Sequence, residues 1–159
     1  MNDASNFFLQ PGHIFVSKEE YKINTVLGSC ISVCLWDEKE KFGGMNHYVY
    51  PRTDKEKRTA KYGNIATPYM IKLMKNMGAN VSNIVAHIVG GGYNPLLSPV
   101  IGEENCKIAE DILKKSKIKI ATRDVGGQTG RKVIFNNKTG EILVYKGIEV
   151  RGSDWYKNN

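Results

Sequence analysis

Residues 31–36, Ile-Ser-Val-Cys-Leu-Trp, constrain the fold more than any other stretch of this chain. In an extended strand alternate side chains point to opposite faces, so Ile31, Val33 and Leu35 share one side and Ser32, Cys34 and Trp36 the other. Both sides are largely apolar, which makes this a core strand buried on two faces rather than a half-solvated edge. Gly28-Ser29-Cys30 stands immediately before it, placing a thiol at the lip of a rigid element. After a charged turn at 37–41 the chain returns through residues 42–50, and this second strand carries His47. Antiparallel neighbours joined by a short turn hold their residues side by side, so a contact between Cys30 and His47 is feasible without any long-range assumption.

A thiol is a strong nucleophile only as thiolate and needs a neighbour to take its proton, which histidine does near neutral pH. Gly28 and Ser29 leave room for a substrate to approach the sulfur and suit a tight turn whose N–H groups face an oxyanion. The local chemistry fits acyl transfer. A free cysteine by itself is most often a small buried hydrophobe. Cys34 and Cys106 take that plainer reading, whereas the residues around Cys30 argue against it.

The chain has 159 residues, enough for one domain with a substantial core and too few for two ordinary ones. We expect a single domain with its core over about 12–150 and flexible ends. Apolar residues make up 41% and charged residues 25%, the balance of a soluble globular protein. The first dozen residues lack the basic start and apolar stretch of a secretory signal, and three cysteines do not make a disulfide framework. Both observations predict a cytoplasmic protein. The 27 positions between Lys75 and Glu103 carry no Asp, Glu, Lys or Arg, yet they contain three successive glycines and two prolines that lipid would not tolerate. No membrane span is expected there. Cys30, Cys34 and His47 lack the further ligands of a metal site, so no metal is expected.

Formal charge is +7. Arg52, Lys55, Lys57, Arg58 and Lys61 oppose only Asp54 and Glu56 in the loop 51–61, which reads either as a solvated loop or as a docking surface for an acidic partner. Nucleic acid is not expected, because these basic residues are not interleaved with aromatics in a recognised binding motif.

Further strands are expected at 13–17, 22–27, 83–89 and 118–123, and a hairpin over 131–135 and 141–145. Asn64 and Thr67 offer caps for a helix running to about Met77, with Pro68 in its first turn and methionines in its apolar stripe. A second amphipathic helix covers 102–115; it points Asn105 inward, where that side chain needs a partner. His87 reads as a satisfied core or edge residue. The glycine-rich loop 90–99 either passes close to the site or makes a plain sharp turn, and the loop 124–130 brings backbone or Gln128 near a substrate. This order of elements predicts an α/β domain of packed layers.

The stretches LGSCISVCLWD at 27–37, GGMNHYVYP at 43–51, GGG at 90–92, IGEEN at 101–105 and DVGGQTGRKVIFNNKTGEILV at 124–144 together resemble the chemoreceptor glutamine deamidases, the CheD family. The resemblance implies a three-layer sandwich of β-sheet and α-helix, with Cys30 as nucleophile, His47 as general base and acid, and Thr25 orienting the histidine. Gly28, Ser29 and Gln128 are the candidate substrate or oxyanion contacts, and no cofactor is implied. The implied substrates are glutamines in the cytoplasmic helices of methyl-accepting chemoreceptors, with recruitment to receptor arrays. A CheC-type phosphatase is the implied second partner. The alternative is an adaptor that binds receptors and the phosphatase with little or no catalysis; a cysteine protease or transglutaminase shares the thiol–imidazole chemistry but none of the other motifs.

Overall fold

The computed structural model describes residues 4–54, 56–93 and 100–148. Among the described residues nine strands and two α-helices form three layers. Four strands, β1 (Ser5–Phe8), β3 (Tyr21–Leu27), β8 (Gly130–Asn136) and β9 (Ile142–Ile148), make one sheet in the order β1-β3-β8-β9. The other five, β2 (His13–Ser17), β4 (Ile31–Asp37), β5 (Phe42–His47), β6 (Ile84–Gly90) and β7 (Lys119–Val125), make a second in the order β2-β5-β4-β6-β7. Helices α1 (Gly63–Asn76) and α2 (Ile101–Lys115) lie against the outer face of the five-stranded sheet. This is the expected α/β sandwich.

The two-faced pattern of β4 explains the layering. Ile31, Val33 and Leu35 join Met70, Met74, Ile108 and Leu113 in a core between sheet and helices. Cys34, on the opposite face, packs with Ile23, Leu27, Met45, Val133 and Phe135 in a second core between the two sheets. β4 is therefore the shared wall of both. The methionines of α1 are core residues, as their spacing predicts. The hairpin β8–β9 also forms where expected.

Two boundaries differ from the expectation. The core begins well before residue 12, because β1 pairs in parallel with β3 and Leu9 is buried. An aromatic cluster holds this end: the Phe7 ring stacks on Phe15 at 4.0 Å, and Tyr21 meets Phe15 edge-on at 5.0 Å. The expected fraying of the other end, 152–159, lies outside the described residues.

The second difference is the start of α1, where neither Asn64 nor Thr67 caps the helix. The Asn64 amide reaches back to the basic loop, accepting from Thr53 N at 3.0 Å and donating to Thr53 O at 3.1 Å. Thr67 is buried and accepts from Asn46 Nδ2 at 3.1 Å. The helix instead begins at Gly63, whose N–H donates to Tyr50 O at 2.8 Å, so Pro68 falls one turn deeper than expected. Only glycine fits that position. A Cβ there would lie 2.7 Å from the Tyr48 ring and 2.8 Å from Ile108.

Gly63→Ala is expected to lower the free energy of unfolding by about 1–3 kcal/mol through overpacking against Tyr48, measured by chemical denaturation. The helix propensity of alanine favours the opposite sign, so a stability gain would contradict this packing.

Candidate active site

Thr25 and His47 belong to different sheets and meet in the space between them. Thr25 sits on β3 and His47 ends β5, and both are almost completely buried. Thr25 Oγ1 lies 2.8 Å from His47 Nδ1 and 2.8 Å from the Leu9 carbonyl oxygen. A carbonyl can only accept, so the hydroxyl donates its one proton to Leu9 O. Thr25 is then an acceptor toward the ring, and Nδ1–H donates to it. In the neutral imidazole this puts the lone pair on Nε2, the nitrogen a general base uses.

Cys30 is reached through the pairing of β4 with β5. Ile31 and Tyr48 exchange both backbone hydrogen bonds, at 3.1 and 3.0 Å, and further along Cys34 lies opposite Met45 in the same register. That register sets Cys30 opposite Val49 and His47 opposite Ser32. Cys30 and His47 are thus diagonal neighbours on the face toward the other sheet, positions about 7–8 Å apart along the backbone with side chains closer. Next to His47, the Asn46 side chain replaces one ladder bond by accepting from Val33 N at 2.8 Å.

All three carbonyls of the turn before β4 are tied down. Gly92 N donates to Gly28 O at 2.8 Å, Asn105 Nδ2 to Ser29 O at 2.9 Å, and Gly91 N to Cys30 O at 2.9 Å. In a trans peptide the N–H points opposite to the preceding carbonyl. Fixing the oxygens of Gly28 and Ser29 therefore fixes the directions of the Ser29 and Cys30 N–H groups, as an oxyanion hole requires. Asn105 Nδ2 also donates to Val49 O at 2.9 Å. One amide thus joins the residue before Cys30 to the strand segment that follows His47. The inward placement of Asn105 was legible in the sequence; its two acceptors were not.

The glycine loop after β6 passes close to the site, as one reading of the sequence has it. At Gly90, φ is +115° and a Cβ would come within 2.2 Å of the Cys30 carbonyl oxygen. Behind this loop lies a residue the sequence reading missed. Arg131 is buried, pairs with Asp124 at 2.9 Å, and donates to the carbonyls of Gly90 at 3.3 Å and Gly126 at 2.8 Å. The signal available was an acid and a base, Asp124 and Arg131, bracketing a run with three glycines.

The other candidates stand apart. Gln128 is exposed in the loop between β7 and β8, in contrast to the buried Thr25 and His47. Burial pushes the Cys34 thiol far above the ordinary range. Cys106 lines a hollow of about 570 Å³ with Gly91 and Gly127, and its pKa is pushed up to about 11, first by burial and then by the charge of Glu110. Both thiols therefore stay protonated. His87 is buried with Nδ1 2.7 Å from Thr122 Oγ1, and burial lowers its pKa, in keeping with a satisfied core residue. Among the described residues no group of three or more His, Cys, Asp or Glu side chains could hold a metal ion, and no helix is long and apolar enough to cross a membrane.

A cysteine at a pinned turn beside an oriented histidine, on a sandwich of two sheets and a helix layer, defines the class of thiol–imidazole proteins. Residues 49–146 match the CheD chemotactic sensory transduction family, and the chain belongs to that family. It is 40% identical over 145 residues to the probable chemoreceptor glutamine deamidase CheD of Trichlorobacter lovleyi, a match covering 89% of this chain and 90% of the relative. The CheD proteins of Sulfurimonas denitrificans, 36% identical over 86% of this chain and 91% of the relative, and of Methanococcus maripaludis, 34% identical over 88% and 94%, carry the same description. The family match begins after His47, so the reading of Thr25, Cys30 and His47 rests on their geometry.

Thr25→Val is expected to lower the rate at saturating substrate by between about 10-fold and 10⁴-fold, the upper limit being the cost of a wrong tautomer in a serine protease, while Thr25→Ser retains most of it. Steady-state kinetics on the two variants checks this. Equal losses in both would contradict a role carried by the hydroxyl.

Proposed function

We propose that this chain is a protein-glutamine deamidase that converts specific glutamines of methyl-accepting chemoreceptors to glutamate, in chemotactic adaptation. The observation that carries the reading is the Thr25 hydroxyl, which gives its proton to Leu9 O and receives Nδ1–H of His47, leaving Nε2 as the base. The relatives' description as probable chemoreceptor glutamine deamidases supplies the substrate class.

Cys30 Sγ passes its proton to His47 Nε2 and attacks the side-chain carboxamide carbon, forming the S–C bond. The carbonyl oxygen becomes an oxyanion, met by the N–H groups of Ser29 and Cys30 in the turn that Gly28 opens. His47 returns the proton to the leaving nitrogen, the C–N bond breaks and ammonia departs, leaving a thioester. Water then attacks the thioester with His47 as base, and the thiol reforms as glutamate is released. Every proton in the cycle is carried by His47, so the cycle calls for no cofactor. Desolvation around the pair strengthens each of these interactions relative to water.

Each turnover adds one negative charge to the receptor, which changes its local electrostatics and creates a carboxylate open to methylation. The enzyme acts on the cytoplasmic face, at receptor arrays. A CheC-type phosphatase is its second partner.

Cys30→Ala is expected to reduce ammonia release from a receptor cytoplasmic fragment by at least about 10³-fold, with no conversion of glutamine to glutamate by mass spectrometry. Activity surviving that substitution would remove Cys30 as the nucleophile.

A further inference from the structure

One face of α1 and the basic loop beside it form a groove that the chemistry above does not use. Ile65, Tyr69 and Lys72 are spaced i, i+4 and i+7, so they share one face of the helix. Tyr69 is 52% exposed, a large apolar body left in water. Arg58, from the loop, closes the groove from the other side. Two hollows of about 360 Å³ each adjoin here, and Arg58, Ile65 and Tyr69 line both. The Asn64–Thr53 pair of hydrogen bonds ties the loop to the helix, so the groove is built before anything enters it.

The charged side chains that line it, Arg58 and Lys72, are both basic. Arg52, Lys57, Arg58 and Lys72 are all exposed, and among the described residues no ion pair engages any of them. Asp54, one of two acids in the loop, turns its carboxylate to the N–H of Glu56 at 3.0 Å. Exposed tyrosine and arginine around an apolar hollow are the composition of a protein-binding surface, and unpaired cations beside it select a partner with carboxylates. A phosphate backbone offers no apolar side chain to fill such a hollow, and a flat bilayer does not fit a concave one. The groove also reaches the chemistry. Gly12 lines its far end, and Gly12 N donates to the His47 carbonyl at 2.7 Å.

We propose that this groove docks an acidic amphipathic helix of the protein substrate, its apolar side chains seated against Ile65 and Tyr69 and its carboxylates paired with Arg58 and Lys72. Docking there holds the substrate against the start of the edge strand β2, where His13 pairs with His47 of the neighbouring β5, so residues further along the same helix are presented around that end of the sheet to Cys30. The identity of the helix rests on the deamidase reading, and the groove adds how the substrate is selected.

The test is equilibrium binding of the full chain to a fluorescently labelled chemoreceptor cytoplasmic fragment, by anisotropy at low and high salt, with ammonia release by the wild type followed in parallel. Arg58→Glu/Lys72→Glu is expected to weaken binding at least about tenfold and to flatten its salt dependence, and Tyr69→Ala to weaken it at both salt concentrations. These residues are exposed, and an unchanged melting temperature confirms the fold. Undiminished binding by the variants, or no binding by the wild type, overturns the docking surface. Loss of binding to phosphatidylglycerol vesicles with binding to the fragment retained would also overturn it, in favour of a membrane contact. Wild type that binds through this groove yet releases no ammonia defeats the deamidase reading and leaves the docking surface standing. Ammonia release by the wild type together with unchanged binding by the variants does the reverse.

Discussion

A hydroxyl has one proton, and in Thr25 that proton is committed to the carbonyl of Leu9. From this follows which nitrogen of His47 is protonated, and from that the kind of chemistry the histidine can do. The commitment depends on parts of the fold distant in sequence. β3 supplies the threonine from one sheet, β5 the histidine from the other, and the short parallel strand β1 delivers the Leu9 carbonyl by pairing with β3. The sheet-to-sheet packing is thus what lets the three groups meet. Because Thr25 and His47 are both buried, breaking either hydrogen bond would strand a buried polar group, which makes the arrangement stiff as well as specific.

The Cys30 side of the site is built on a different principle. Nothing about a Gly-Ser-Cys turn is rigid by itself, and rigidity is imposed from outside by three donors, from Gly92, Asn105 and Gly91. Asn105 comes from a helix in the third layer, so the outer helices also reach into the site. Arg131 supports the two glycine loops from behind by gathering their carbonyls around one buried guanidinium. Glycine permits the close approach of these backbones, and hydrogen bonds to charged or amide side chains then remove the freedom that glycine brings.

What the sequence made legible followed from local periodicity. The two-faced pattern of 31–36 located the shared wall of both cores, and its short antiparallel return brought His47 to the face on which Cys30 lies. What was not legible depended on partners far along the chain. Ser5–Phe8 has no alternation to mark it as a strand, and it becomes one only by pairing with β3 and stacking Phe7 on Phe15. Asn64 has the composition of a helix cap, but the basic loop takes its amide instead, and the steric demand of Tyr48 sets the start of α1 at Gly63. Gln128 sits in a run that also holds three glycines, yet its side chain is exposed, whereas the run at 90–92 is carried to Cys30 because β6 pairs directly with β4.

Thr25 holds His47 with its proton on Nδ1, and nitrogen-detected NMR of the labelled histidine rings reads that tautomer without an intermediary. His47 is expected to show a protonated Nδ1 throughout the neutral range, whether Nε2 is bare or has taken the thiol proton. A His47 ring with Nε2 protonated and Nδ1 bare would contradict it.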